Sequence, residues 1–253
     1  MNSQTASAEK PLARRIVLVG FVLAVACVLA AVFSGVGYRL DLWHFRTGIQ
    51  MIKWSFFAAI AAVGLSVIGL ALSRKSRSVV VIGVLAIIIG GIMVYVPLSW
   101  KQTLDSHPYI HDITTDVEDP PQFVAVAAVR GPEDHPVTYD GPEVAAQQKQ
   151  AYPDLQPWLT RASPGEVFAA TKKVVDKMGM ELVAANEGDL HVEATATTLL
   201  YGYKDDMVVR IVETADGSRV DVRSKSRVGR SDLGQNAKRI RRFLALLKDE
   251  LPS

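Results

Sequence analysis

The chain of 253 residues is 49% apolar and carries a formal net charge of +2. That charge is unevenly distributed: residues 1–100 hold nine Lys and Arg against two acids, and residues 101–253 hold 19 against 24. A net-negative tail argues against nucleic acid as a partner, because phosphate binding needs a basic surface. The single cysteine, Cys27, excludes a disulfide or a cysteine-based metal site within one chain.

Three apolar runs without Asp, Glu, Lys, Arg or His fill most of the first hundred residues, at 16–38, 54–73 and 78–100. Each run is long enough for a membrane span, since about 20 residues of helix cross a hydrocarbon core of ~30 Å. We therefore predict a cytoplasmic N-terminus at 1–15 and three transmembrane helices within 16–100, with the lipid bilayer as a partner. Five glycines predict close approach of the helices, namely Gly64, Gly69, Gly83, Gly90 and Gly91.

Basic residues in the short flanks of the spans predict the orientation of the chain. Six lie on the side of the N-terminus, namely Lys10, Arg14, Arg15, Arg74, Lys75 and Arg77. Four lie on the other side, namely Arg39, Arg46, Lys53 and Lys101. This excess predicts a multi-pass protein of the inner (plasma) membrane whose N-terminus is cytoplasmic. Its C-terminal part is then extracytoplasmic, in the periplasm if the source is bacterial.

We predict a proline-rich extended arm at residues 101–160, because Asp119-Pro120-Pro121 and Gly131-Pro132 forbid long helices. One short helix is predicted near 143–150. Between residues 105 and 143, nine acids accompany a single base, Arg130. This acidic arm (105–143) is therefore either solvated or docked against a basic surface.

Residues 161–253 predict an ordered domain with the element order α-β-β-β-β-α. Ser163, Pro164 and Glu166 make a capping box at the start of the first helix, and Asp232 is predicted to cap the last. Four strands are predicted at 180–185, 190–199, 207–213 and 219–226. The predicted fold class is a membrane α-helical part plus a soluble α+β domain, whose antiparallel four-stranded sheet has helices on one face.

The dipeptide Asp216-Gly217 is a strong signal for a two-residue hairpin turn between the last two strands. A loop of these two residues sets Ile211 opposite Val222 and Arg210 opposite Arg223. One face of the hairpin is then apolar, with Val209, Ile211, Val220 and Val222, and the other carries Arg210, Arg223 and Lys225. Like charges directly opposed cost up to ~1 kcal/mol unless an anion lies between them. Alternatively, these cations reach solvent or Glu193 on the neighbouring strand.

A string of Arg, Ser and Gly residues within 221–240 is the most specific motif of the chain. Together with 116–123, 151–155, 195–198 and 202–206, it resembles the family catalogued as domain of unknown function 1499, over residues 105–250. The resemblance implies membrane spans ahead of the domain, as in similar bacterial proteins. It also implies a domain outside the cytoplasm, since similar plant proteins are assigned to the thylakoid lumen. It implies no catalytic residue.

The part of this string at 223–232 runs from a strand into a helix N-terminus, where orphan N–H groups and the helix dipole favour anions. We predict that it binds an anion or a partner: a phosphate, a lipid headgroup or a partner's carboxylate. The candidate residues are Asp205, Asp206, Arg210, Arg223, Ser224, Ser226, Arg227, Arg230, Ser231 and Asn236. Alternatively, the chain fills the site itself, with Asp205 and Asp206 or with the acidic arm.

No catalytic residue, metal or cofactor is predicted. His107, His111, Asp112 and Asp116 lie close in sequence, but their spacing fits no established metal-ligand pattern. The serines lack a nucleophile elbow, and no glycine loop matches a nucleotide fingerprint.

The sequence therefore favours a non-enzymatic integral membrane protein that presents an extracytoplasmic interaction domain. Its expected partner is another membrane or cell-envelope protein, or an anionic lipid group. The alternative is an envelope enzyme that acts on an anionic substrate, with Arg223 and Arg227 as clamps.

Overall fold

The computed structural model describes residues 3–72 and 76–251, with side chains from residue 11 onward. The chain divides into two compact units, one of residues 1–102 and 199–202 and the other of residues 103–198 and 203–253. Among the bases used to predict orientation, Arg74, Lys75 and the side chain of Lys10 lie outside the described part.

Three long apolar helices form the N-terminal part: α1 at Ser3–Arg39, α2 at Phe45–Leu72 and α3 at Arg77–Asp105. Each contains a segment long and apolar enough to cross a membrane. Helix α2 begins at Phe45, well before the uncharged run, because the charged residues Arg46 and Lys53 end the apolar run without ending the helix. The prediction of three membrane-spanning helices is therefore supported by their length and composition.

Small residues line the contacts between these helices. A side chain at Gly69, Gly83 or Gly90 would collide with the neighbouring helix, whereas one at Gly64 or Gly91 would meet nothing within 4 Å. Close backbone approach through small residues is typical of helices that pack in lipid. The predicted packing role therefore holds for three of the five glycines.

In the second unit two short strands alternate with two helices, and four longer strands and a final helix follow. They are β1 at Asp112–Thr114, α4 at Pro142–Ala151, β2 at Trp158–Thr160, α5 at Pro164–Lys177, β3 at Glu181–Asn186, β4 at His191–Thr197, β5 at Lys204–Thr214, β6 at Gly217–Ser226 and α6 at Gln235–Glu250. The predicted short helix and the capping box of α5 are both present: Ser163 accepts a hydrogen bond from the Glu166 amide, and the Glu166 carboxylate accepts one from the Ser163 amide.

The sheet has six antiparallel strands and not the predicted four. Its order is β1-β6-β5-β4-β3, and β2 also pairs with β6. Both additional strands have three residues and come from the predicted arm, where β1 pairs with the second half of β6 and β2 with the first half. Strands this short carry no periodic pattern, so only the pairing with β6 defines them.

One face of the sheet forms the main apolar core with helices α5 and α6. Val209, Ile211, Val220 and Val222 are buried on this face, as predicted. They pack with the buried sides of the helices, which contribute Val167, Phe168, Val174, Ala237, Ile240, Phe243 and Leu247. Asp232 precedes α6, and its carboxylate accepts hydrogen bonds from the amides of Gly234 and Asn236.

The predicted hairpin register is wrong by two residues. Thr214 pairs with Gly217, so Arg210 lies opposite Asp221 and not opposite Arg223. Gly217 is the first residue of β6 and has a φ of 137°. This position needs glycine, because a Cβ there would collide with the backbone of Thr160 in β2. A shift of two residues leaves every side chain on its predicted face, since side chains alternate with period two. The predicted like-charge pair is therefore replaced by a pair of opposite charges.

Candidate functional site

The second face of the sheet carries the cations that the sequence singled out. We call Arg210, Arg223, Lys225 and Arg227 the basic cluster. Residues of the acidic arm cover this face, and Arg223 and Lys225 are fully buried beneath them. Buried charges persist in folded proteins only when they are paired and hydrogen-bonded. The partners of each cation therefore decide what this face can do.

Arg223 is enclosed on every side by residues of the acidic arm. Its guanidinium donates two hydrogen bonds to Asp112, both of 2.8 Å, and further ones to the carbonyls of Pro121 and Val137. The rings of Phe123 and Tyr139 lie 4.9 and 5.3 Å from it. Burial raises the pKa of Tyr139 to about 12, so this ring is neutral. Arg223 has no surface left for an external anion.

Lys225 is held by two acids of the same arm. Its Nζ lies 3.2 Å from Asp112 and 2.6 Å from Asp140, and it also donates to the carbonyl of Thr138. Asp112 is thus shared between Arg223 and Lys225, which gives one buried carboxylate two cationic partners. Because two buried cations hold the Asp112 carboxylate, it acts as a structural group that an external anion does not replace.

Arg227 and Arg130 converge on Asp206 of β5. Arg227 donates bidentately to this carboxylate at 2.9 Å, and Arg130 of the acidic arm donates to it from the other side. Thr195 donates a hydrogen bond of 2.6 Å to the same carboxylate. The side chain of Asp206 is completely buried, and its negative charge is matched by two guanidinium groups.

Arg210 is the cation of the cluster nearest to solvent, and it joins three carboxylates. It lies 3.2 Å from Asp116, 2.7 Å from Asp119 and 3.0 Å from Asp221. Arg219 also contacts Asp116 and Asp221. Burial raises the pKa of Asp116, but hydrogen bonds from the amides of Asp119 and Glu118 and the contact with Arg219 outweigh burial and bring the pKa below its usual value.

Glu193 holds the acidic arm by accepting hydrogen bonds from backbone amides of the arm, and not by pairing with a cation of the basic cluster. Its buried carboxylate accepts hydrogen bonds from the amides of Val124, Ala125 and Val126, at 2.7 to 3.0 Å. Phe123 and Val126 form a small apolar cluster with Val208 on the same face of the sheet. The arm is therefore held on the sheet by hydrogen bonds to the Glu193 carboxylate, by ion pairs with the basic cluster and by apolar contacts.

The remaining candidate residues lie around the start of α6. Asn236 is buried and bonds Ser224, Ser226 and the carbonyl of His111, while Asp205 pairs with Arg239 at 2.6 Å. Ser231 accepts a hydrogen bond from the amide of Leu233. Arg230 is exposed and has no ion pair among the residues that the structure describes. Of the ten candidates, Arg230 is the one whose side chain is exposed, and the others are buried or half-buried.

Two histidines stack at the edge of the basic cluster. The rings of His111 and His135 lie 4.2 Å apart, and His135 Nε2 donates to the carbonyl of Gly229. His111 Nε2 is buried without a hydrogen bond, 3.4 Å from Asp140. Burial, then His135, lowers the pKa of His111, although Asp140 opposes this shift. Within residues 3–72 and 76–251, no three His, Cys, Asp or Glu side chains are placed to hold a metal ion.

The outer side of α6 carries the exposed basic surface of the domain. Lys238 and Arg242 line a shallow cleft together with Arg239, Met178 and Met180, with a volume of about 250 Å³. Lys238 and Arg242 are exposed, and the described part of the chain supplies neither of them with an ion-pair partner. A cleft with an apolar floor and unpaired cations suits an amphipathic anion or an acidic side chain.

Sequence reasoning missed three residues of the arm that complete the basic cluster. Asp140, Tyr139 and His135 contact Lys225, Arg223 and His111 respectively. The net charge of the acidic arm was the signal for docking, but it could not say which carboxylate meets which cation. That assignment depends on the register of β1 with β6.

The fold and this face define a class: a small antiparallel α+β domain that follows three helices of membrane-spanning length. Residues 112–247 match the family described as Protein of unknown function (DUF1499), and the chain belongs to this family. The matched segment begins with Asp112 and ends with Leu247, so it includes the basic cluster and all but the first seven residues of the acidic arm. No curated protein matches the chain.

Proposed function

We propose that this chain is a non-enzymatic membrane protein that presents its C-terminal domain as an interaction module for an acidic partner. The observation that carries the proposal is the division of cations into two sets. The basic cluster is neutralised by acids of the same chain, whereas Lys238, Arg242 and Arg230 stay exposed and unpaired among the described residues. Lys238 and Arg242, which share one cleft, therefore form the proposed anion-binding surface, and the proposed partner is an acidic membrane or envelope protein.

The burial of the cluster also argues against the enzyme alternative. An enzyme with Arg clamps needs Arg223 and Arg227 to reach a substrate, yet both are buried and bonded to carboxylates and carbonyls. The carboxylates nearest to them, Asp112 and Asp206, are also fully buried. A general acid or base must come within hydrogen-bond reach of its substrate, and these buried carboxylates offer no such access.

We further propose the location predicted from the sequence: a multi-pass protein of the plasma membrane with its N-terminus in the cytoplasm and its C-terminal domain outside. Support comes from three helices of spanning length and from the excess of basic flanking residues on the N-terminal side. In a bacterium the domain would meet its partner in the periplasm.

The test is chemical cross-linking in native membranes, followed by purification of the full chain and identification of what is cross-linked to it. We expect an acidic protein whose recovery falls severalfold in the double variant Lys238→Glu, Arg242→Glu. The matched control is Lys172→Glu, Lys173→Glu, which makes the same charge change on the exposed side of α5. Equal loss in both double variants, or in neither, would contradict the assignment of the surface to α6.

A further inference from the structure

Residues 198–203, whose segment 199–202 groups with the first unit, form an exposed apolar loop at the end of the sheet where β1 begins. Asp112, the first residue of β1, pairs with Lys225, and the adjacent Ser226 pairs with Asp205 near the start of β5. The 198–203 loop connects β4 to β5 at this same end. The segment that precedes β1 and the 198–203 loop therefore lie at the same end of the strands.

The 198–203 loop has the composition of a membrane-interface segment. Its sequence is Thr-Leu-Leu-Tyr-Gly-Tyr, and Leu199 and Leu200 are 89% and 42% exposed. Burial of apolar surface away from water is favourable, so two exposed leucines at a loop tip favour an apolar environment. Tyrosine is the residue type enriched at the boundary between lipid and water.

Basic side chains stand beside the base of this loop. Lys204 is the first residue of β5, and its carbonyl accepts a hydrogen bond of 2.9 Å from the Arg227 amide. That bond brings the turn with Arg230 next to the loop. Lys204 and Arg230 are exposed, while the nearby Asp205 is paired with Arg239. The exposed charge beside the leucines is therefore positive, which suits anionic headgroups.

The length of the connection limits how far this end of the sheet can be from the bilayer. Helix α3 ends at Asp105 and β1 begins at Asp112. Seven residue steps span at most about 25 Å when fully extended. If α3 crosses the membrane, as the proposed function requires, the 198–203 loop is tethered near the lipid surface.

From these observations we infer that the 198–203 loop is a second membrane contact. Leu199 and Leu200 insert into the interfacial layer of the bilayer that holds the three helices, and Lys204 and Arg230 bind its anionic headgroups. This inference rests on the proposed membrane anchoring.

The test uses the full chain with Cys27→Ser and one new cysteine, labelled with a fluorophore that responds to polarity. The two sites compared are Leu199→Cys and Asp216→Cys, the second in the turn between β5 and β6 at the far end of the sheet. Both chains are placed in vesicles of phosphatidylcholine and phosphatidylglycerol. We expect the label at position 199 to be quenched severalfold more by a lipid-borne quencher than the label at 216, and severalfold less by aqueous iodide.

The charge contribution is tested with Lys204→Glu, Arg230→Glu in the labelled chain. Lipid quenching at position 199 should fall severalfold in vesicles that contain phosphatidylglycerol and stay unchanged in phosphatidylcholine alone. If the labels at 199 and 216 are equally open to iodide while the chain floats with the vesicles, the inference is wrong and the anchoring stands. If the chain does not float with the vesicles, the anchoring fails and the inference fails with it.

Discussion

At the scale of single residues, Arg223 is the point where the domain is most sensitive to substitution. Its guanidinium neutralises Asp112 and bridges two carbonyls in a site without solvent. Removal of one partner of a buried ion pair costs about 3–5 kcal/mol, because the other charge stays buried and unpaired. Lys225 still contacts Asp112, so we expect Arg223→Met to lie near the lower end of this range.

The measurement is denaturant unfolding of the purified full chain in detergent. Arg241→Met is the matched control, because Arg241 makes a bidentate pair with Asp154 at the surface. Exposed pairs contribute about 0–1 kcal/mol, so the control should unfold almost like the parent chain. Equal losses for the two variants would mean that the buried pair is not a stabilising centre.

The buried His111 makes the free energy of unfolding depend on pH, and the direction of the change can be predicted. Burial, His135 and Lys225 lower its pKa in the folded domain, so the unfolded chain takes up a proton at a higher pH than the folded one. The free energy of unfolding should therefore fall as the pH drops below about 6.5, the ordinary value, and level off below the lowered pKa. The raised pKa of Asp232 acts in the opposite direction at lower pH.

The check is the free energy of unfolding of the parent chain and of His111→Gln between pH 5 and 7. In this window, carboxylates with lowered pKa values such as Asp116 and Asp154 stay ionised in both states. We expect the glutamine variant to lose most of the slope. A slope that is the same in both chains would exclude His111 as its source.

At the scale of elements, the ion pairs hold the acidic arm on the sheet. Arg227→Glu sets a carboxylate against Asp206 and removes the contact with the carbonyl of Val129. We expect the arm to detach, so that chymotrypsin cuts at Phe123 and Tyr139 severalfold faster. Arg230→Glu is the control: it makes the same charge change three residues away on an exposed side chain. Unchanged cleavage of Arg227→Glu would show that the arm does not depend on this pair.

The elements also show what could be predicted from the sequence and what could not. The faces of β5 and β6 were predictable, because alternation with period two assigns each side chain to a face without knowledge of register. The register was not, because Gly217 accommodates Thr160, which lies 57 residues earlier in the chain. Likewise, β1 is too short for a pattern, so the ion pair of Asp112 with Arg223 was not predictable from either segment alone.

At the scale of the whole molecule, the proposed orientation has a direct test in fusions to reporters. Alkaline phosphatase folds actively only outside the cytoplasm of a bacterium, and a fluorescent protein exported in unfolded form is dark. We expect an active phosphatase and a dark fluorescent protein when they are fused after Ser253. Fusions after Lys75, between the second and third apolar runs, should give the reverse result. The same pattern at both positions would contradict the predicted three-span topology.

The long sequence separation between the acidic arm and its partner strands has a consequence for biosynthesis. Asp112 and Arg223 are 111 residues apart, and Asp140 and Lys225 are 85 apart. Contacts this distant form late and slow folding, because a large loop must close before they form. During synthesis the arm leaves the ribosome well before β6, so Asp112 and Asp140 have no partner on β6 until 85 to 111 further residues are made. We therefore expect this buried group of ion pairs to form only after synthesis has passed β6.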